Sequence, residues 1–269
     1  MVVRGPRLSN RPHTCSLEET FEVPCGKCRG CRLEKSREWA IRCVHEAQMH
    51  ERNCFVTLTY DEEHLPRDRS VDVREWQLFA KRLRNSVGRF RFFMCGEYGE
   101  EKLRPHYHAI LFGIDFSEDR ELWKKSSANS LLFTSKTLDS AWKKGWTSIG
   151  DCTFQSAAYV ARYAMKKHSS GTAERYRRVF PDGTSRFVRP EFGLQSRRPG
   201  IGRAWFEKFK SDVFPDDFVV HDGQKVKTPR YYENLLSEAE LAEVKARRKA
   251  AGEMRGDGER TRSRLRQRE

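Results

Sequence analysis

The chain has no long apolar run. No segment approaches the roughly eighteen consecutive apolar residues that a membrane span requires, and the first residues lack the apolar stretch of a signal peptide. Only 37% of the 269 residues are hydrophobic, and the mean hydropathy of -0.81 means that much of the chain is surface. Acid is also scarce relative to base: 38 Asp and Glu stand against 52 Lys and Arg, for a net charge of +14. No strongly apolar amphipathic helix accompanies that charge, which argues against a membrane-surface protein. A pI near 9.6 instead points to a polyphosphate partner, by default nucleic acid. Eight cysteines spread over this length read as thiols or metal ligands of a reducing, cytosolic compartment rather than a disulfide framework. No internal repeat is present.

What is there divides into stretches. Residues 1–33 are rich in Cys, Pro and Gly without a clear period and read as an irregular leader. Glu34 to His50, with Trp39, Ile41, Cys43, Val44 and Ala47 among charges, fits an amphipathic helix. Cys54 to Tyr60 is β-branched and aromatic, a strand closed by the breakers of Asp61 to Pro66. Val73 to Val87 has helical spacing, and Phe90 to Cys95 and His106 to Phe112 read as strands. The polar connection from Glu97 to Pro105 makes these two an antiparallel hairpin, so Glu97 should face the histidines. Leu122 to Trp142 looks helical in parts, Trp146 to Cys152 reads as a strand, and Ser156 to His168 as a helix. The expected fold is α+β, a central antiparallel sheet backed by helices. Residues 169–236 form a basic and aromatic extension that opens with a loop or hairpin, and 237–269 a basic tail, helical passing to disordered.

Two motifs carry chemistry. His106 and His108 open an apolar strand, and the period of two puts both imidazoles on one face. Imidazole with a carboxylate suits transition ions and the Mg or Mn of phosphoryl chemistry. Glu97 is the expected third ligand, with Glu100 and Glu101 as alternatives in the loop. Tyr159, Arg162, Tyr163 and Lys166 then share one helical stripe. A stripe of two phenols and two cations is poorly suited to a core. The cations would stabilise a phenolate and hold a phosphate, since a phenol with its pKa of about 10 is a weak nucleophile until activated.

These residues resemble the replication initiators of the microvirus family of small single-stranded-DNA phages, most closely its gokushovirus branch, within the HUH endonucleases (histidine, hydrophobe, histidine). Three motifs match in order: Phe55-Val56-Thr57-Leu58-Thr59-Tyr60, Pro105-His106-Tyr107-His108, and Tyr159 with Tyr163 and Lys166. The resemblance implies an RRM-like palm sheet, with residues 34–168 as the catalytic domain, and site-specific nicking and rejoining of single-stranded DNA in rolling-circle replication. A divalent ion, Mg or Mn, would be held by Glu97, His106 and His108. One tyrosine would form a 5′-phosphotyrosine and free a 3′-hydroxyl, the other would cut the regenerated origin, and Lys166 would position phosphate. Arg104, Arg162, Lys167, Arg197 and Arg198 would contact DNA. Host helicase and polymerase are the implied partners in the bacterial cytoplasm, with no membrane and no small-molecule substrate. A plasmid initiator, relaxase or transposase of the same chemistry, or a non-catalytic DNA-binding protein, stays open.

Cys25, Cys28 and Cys31 are a second candidate metal set. A closed zinc site needs four ligands, and Cys15, Cys43 or His45 are the residues that could complete it. Reduced cysteines in a tight turn are the other reading. Cys54 and Cys95 fall within apolar strands and read as core. Basic and aromatic residues interleave from Arg175 to Phe206, a composition that suits a single strand, with cations on the backbone and rings on bases.

Overall fold

The computed structural model describes residues 24–26, 28–99, 103–126, 129–164, 173–180, 183–214 and 216–251. The elements up to the tyrosine helix are α1 (Arg29–Ala47), β1 (Asn53–Tyr60), α2 (Val73–Val87), β2 (Arg91–Tyr98), β3 (Pro105–Phe112), β4 (Arg120–Lys125), β5 (Leu131–Ser135), α3 (Lys136–Trp142), β6 (Gly145–Asp151) and α4 (Phe154–Ala164). After it come β7 (Arg177–Val179), β8 (Ser185–Phe187), β9 (Phe192–Gln195), α5 (Arg203–Val213), β10 (Phe218–His221), β11 (Gln224–Lys227) and α6 (Arg230–Glu233). Residues 238–251 are helical.

Seven strands form one sheet in the order β4-β5-β6-β1-β3-β2-β9, and every pairing in it is antiparallel. The fold is α+β and the sheet is open, not a barrel. Alternation along the central strands sends successive side chains to opposite faces. Val56, Leu58 and Tyr60 of β1 and Tyr107, Ala109 and Leu111 of β3 meet Trp76, Phe79 and Leu83 of α2 and Trp142 of α3 in one core. Ile110 and Phe112 of β3 and Phe93 and Cys95 of β2 meet Ala40 and Cys43 of α1 and Ala157, Val160, Ala161 and Ala164 of α4 in the other.

Local chemistry sets several boundaries. The Asp72 carboxylate accepts from Arg74 N–H at the start of α2, and Gly88 at φ 81° ends it. Thr153 and Ser156 exchange hydrogen bonds, each hydroxyl accepting from the other's backbone N–H, and so begin α4. The chain beyond α4 returns to the sheet. β9 pairs with β2, and buried Glu46 of α1 accepts from Gly202 N–H at 2.7 Å and from the Arg91 guanidinium. His45 and Tyr232 share a 2.8 Å hydrogen bond, which ties α6 to α1.

Three local expectations are corrected. Residues 122–142 hold the β4–β5 hairpin before the short helix α3, and only that helix fits the helical reading. β4 is exposed on every residue and carries a register shift between Leu122 and Lys124, so no alternation marks it as a strand. α1 starts five residues before Glu34, because Cys28 acts as its N-cap, its sulfur accepting from Cys31 N–H. The described part of the tyrosine helix runs from Phe154 to Ala164, and the remainder of the expected span, with Lys166 and Lys167, lies outside the described residues. Within Ser169 to Arg189, β7 and β8 pair as a hairpin.

Candidate active site

Sheet register assembles the centre. Glu97 on β2 lies directly opposite His106 on β3, and Thr57 on β1 lies opposite His108. All four project to the face that α4 covers. The carboxylate oxygen Oε1 of Glu97 stands 3.0 Å from Nε2 of His106 and 3.0 Å from Nε2 of His108. Glu97 is almost wholly buried, with the two imidazoles slightly more open.

The far side of each imidazole is also held. His106 Nδ1 donates to the Arg104 carbonyl at 2.9 Å, and His108 Nδ1 pairs with the Thr57 hydroxyl at 2.9 Å. The His108 ring lies nearly parallel to Phe55, with centroids 5.4 Å apart. With the His106 proton fixed on Nδ1, its neutral form turns a lone pair toward the carboxylate. Two lone-pair groups face each other stably only with a cation between them, a proton or a metal ion. Burial alone would push Glu97 up, but the hydrogen bonds from His106 and His108 outweigh it and hold the carboxyl at about 2. Burial pushes His108 down, and Glu97 offsets part of that. A divalent ion fits this donor set. The three ligand atoms lie within 4.8 Å of one another, and Oε2 of Glu97 is buried without a hydrogen-bond partner.

α4 brings the phenol. Tyr159 donates to Glu97 Oε1 at 2.8 Å and stands 3.5 Å from His108 Nε2. Its ring meets His108 edge-on at 5.0 Å between centroids and lies 4.8 Å from the ring of Tyr163. Burial first, and then the charge of Glu97, raise the Tyr159 hydroxyl above its ordinary value, so it rests protonated. α4 can approach this closely because β9 presents Gly193 beneath it. A β-carbon there would lie 2.5 Å from that of Ala164.

Glu97, His106, His108, Tyr159 and Tyr163 therefore come together, and the other expected residues divide. Arg162 is exposed, its guanidinium 5.8 Å from the centre of the Tyr159 ring. Arg104 is turned to the sheet edge, donating to the Tyr60 carbonyl and pairing with Glu62 at 2.6 Å. Arg197 and Arg198 are exposed and line a cleft of about 630 Å³ with Trp39, Arg42, Arg203 and Tyr231. Lys166, Lys167, Glu100 and Glu101 lie outside the described residues. Cys25, Cys28 and Cys31 cluster, but Cys43 does not join them. It lies twelve residues beyond Cys31 on the same helix, about 18 Å at 1.5 Å per residue, and is wholly buried. Sequence reasoning missed Thr57 and Gly193. The alternation of Thr57 and Thr59 with Val56 and Leu58 does mark a polar strand face, but the partner across the sheet is not in the local pattern.

Fold and site together define an α+β protein in which an antiparallel sheet carries a carboxylate and two imidazoles beneath a tyrosine-bearing helix. The chain matches the family profile described as replication-associated protein ORF2 over residues 53–168, the span from β1 through α4. It is 34% identical over 225 residues to replication-associated protein VP4 of Bdellovibrio phage phiMH2K, covering 80% of this chain and 67% of that protein. It is 32% identical over 230 residues to replication-associated protein ORF2 of Spiroplasma virus 4, covering 80% and 67%. Against replication-associated protein ORF4 of Chlamydia phage 1 the identity is 30% over 225 residues, covering 81% of this chain and 54% of the relative. The chain belongs to this family of microvirus-like phage replication proteins. No solved structure matches it significantly. Among the described residues, no helix is long and apolar enough to cross a membrane.

Proposed function

We propose that this protein is a site-specific single-stranded-DNA endonuclease and strand transferase that starts rolling-circle replication of a circular phage genome. One observation carries the reading: the Tyr159 hydroxyl lies 2.8 Å from Glu97 Oε1, in contact with the carboxylate that both histidines share. A nucleophile must reach the same phosphate that a bound cation would polarise, and this distance places the two together. Held by Glu97, His106 and His108, a divalent ion such as Mg or Mn supplies positive charge to the scissile phosphate.

The chain's own groups do the rest. The Tyr159 oxygen attacks phosphorus, the bond to the 3′-oxygen breaks, and a 5′-phosphotyrosine and a 3′-hydroxyl result. The ester conserves the energy of the broken bond. Tyr163, beside Tyr159 on the same helix face, is placed to attack the regenerated origin, after which the newly freed 3′-hydroxyl displaces the first tyrosine and closes a circle. Arg162 supplies positive charge at the mouth, and Arg197 and Arg198 offer phosphate contacts in the cleft beside Trp39 and Tyr231, a pairing of cations and rings suited to a single strand. Lys166 and Lys167 fall in the reading as further phosphate contacts. The host polymerase would extend the 3′-hydroxyl and a host helicase would open the duplex, in the bacterial cytoplasm.

The test is a labelled single-stranded origin oligonucleotide incubated with the protein and Mn²⁺ or Mg²⁺. The expected product is a covalent adduct that survives denaturant. It should be absent with EDTA and in the variant carrying both Tyr159→Phe and Tyr163→Phe. An adduct that persists in that double variant overturns the nucleophile assignment, and a metal-independent adduct overturns the role of the histidine centre.

A further inference from the structure

A second group of ligands sits at the start of α1, apart from the carboxylate–histidine centre. Cys25, Cys28 and Cys31 recur every third residue, and their sulfurs all lie within 4.8 Å of one another. Cys25 Sγ and Cys31 Sγ are 4.0 Å apart, far beyond the roughly 2.05 Å of a disulfide, and all three cysteines are reduced. Gly26, at φ +71°, makes the turn that brings Cys25 back over the helix start. Backbone amides then point at sulfur: Cys28 N–H donates to Cys25 Sγ at 3.2 Å and Cys31 N–H to Cys28 Sγ at 3.5 Å.

Each feature favours thiolate over thiol. N–H donors aimed at sulfur and the positive end of a 19-residue helix both stabilise negative charge. Three thiolates this close repel one another unless a cation lies among them. We infer that Cys25, Cys28 and Cys31 hold a zinc ion that staples the start of α1.

The spacing discriminates between thiolate-bound metals. A tetrahedral ion with zinc–sulfur bonds of about 2.3 Å sets its sulfurs about 3.8 Å apart, close to the 4.0 Å between Cys25 and Cys31. An iron–sulfur cluster of four irons takes each thiolate on a different iron and spreads the sulfurs wider. Binding releases the thiol protons, and its free energy adds to folding. The staple acts where it matters mechanically, because Ser36, little more than a turn beyond Cys31, donates to the Ala158 carbonyl of the tyrosine helix at 3.0 Å. Neither Cys43 nor His45 can supply a fourth ligand, the first being buried far along α1 and the second hydrogen-bonded to Tyr232. Of the remaining cysteines, Cys54 and Cys95 are buried in the sheet and Cys152 packs against the core beneath α4, while Cys15 lies outside the described residues.

Elemental analysis of the full chain, purified without chelator, tests the inference. One zinc per chain is expected to survive dialysis, to persist in the double variant His106→Ala and His108→Ala, and to be lost when Cys25, Cys28 and Cys31 all become Ser. Zinc retained in full by the triple Ser variant overturns the site, as does iron with inorganic sulfide in its place. Cobalt exchanged into the unaltered chain gives a readout that needs no folded variant. An intense near-ultraviolet sulfur-to-cobalt band is expected, and its absence in cobalt-loaded protein overturns thiolate ligation.

Discussion

The two faces of the central sheet are made from the same strands and yet behave as different materials. On β3, Tyr107 stands between His106 and His108 in sequence and points the opposite way, into a core with Tyr60 and Trp142. There its hydroxyl lies 3.0 Å from that of Tyr60 and accepts from Asp72 N–H at 3.0 Å, and burial pushes its pKa up to about 12. Tyr159, on the other face, is also raised, but it touches a carboxylate and an imidazole rather than another phenol. A buried tyrosine is therefore not in itself a nucleophile. What separates the two is the company of the hydroxyl: Tyr107 meets a second phenol and backbone groups, whereas Tyr159 meets the donor set that a cation would occupy.

The comparison breaks most visibly at the centre itself. His106→Ala and Glu97→Gln should each lower metal-dependent adduct formation by roughly a thousandfold or more. The melting temperature should shift little, because both residues lie at the strand end rather than in a packed core. Trp142→Ala does the reverse. Trp142 is fully buried and its indole N–H donates to the Thr59 carbonyl at 3.0 Å, so its loss should cost about 3–5 kcal/mol in urea unfolding. Adduct yield per folded molecule should stay as in the parent. If Trp142→Ala abolishes the adduct in protein shown to be folded, the faces are coupled and the distinction fails.

How much of this is legible in the chain follows from the range of each signal. The histidine pair, the hairpin that sets Glu97 opposite them and the tyrosine spacing are local patterns, and the period of a strand or helix converts them directly into geometry. α2 is legible to the residue because Asp72 and Gly88 punctuate it. The β4–β5 hairpin is not, since an exposed edge has no alternation of buried and open residues to read. Thr57 and Gly193 are not, because each owes its role to a neighbour far along the chain, and register across a sheet is decided by packing. The Cys28 cap reads in the sequence as part of a leader because sulfur seldom replaces the usual oxygen at a helix start.

Two glycines sharpen the comparison at smaller cost. Gly193 lies on the α4 face, where a methyl group would press on the Ala164 backbone, its α-carbon 3.2 Å away, as well as its side chain. Gly96 lies on the other face, where a methyl group would meet the ring of Phe192 at 2.9 Å and that of Tyr107 at 3.2 Å. Both changes to Ala overpack the site and should destabilise by about 1–3 kcal/mol. Only Gly193→Ala lifts the tyrosine helix, so only it should lower the adduct rate per folded molecule. Equal rates in the two variants would show that α4 tolerates the shift.

The smallest effect separates holding a ligand from being one. Thr57→Val keeps the shape and the β-branching of the side chain and removes only the hydroxyl that meets His108 Nδ1 at 2.9 Å. The His108 ring remains stacked on Phe55, so the imidazole stays in place but loses the group that orients it and tunes its basicity. Such a partner typically contributes about tenfold or somewhat more in metal affinity. The concentration of Mn²⁺ giving half-maximal adduct should therefore rise about tenfold, while the yield at saturating Mn²⁺ returns to that of the parent. A ligand variant such as His106→Ala should not recover at any metal concentration. A Thr57→Val protein whose yield stays low at saturating Mn²⁺ would mean that the hydroxyl acts on the reacting phosphate or on Tyr159 itself, and not through His108.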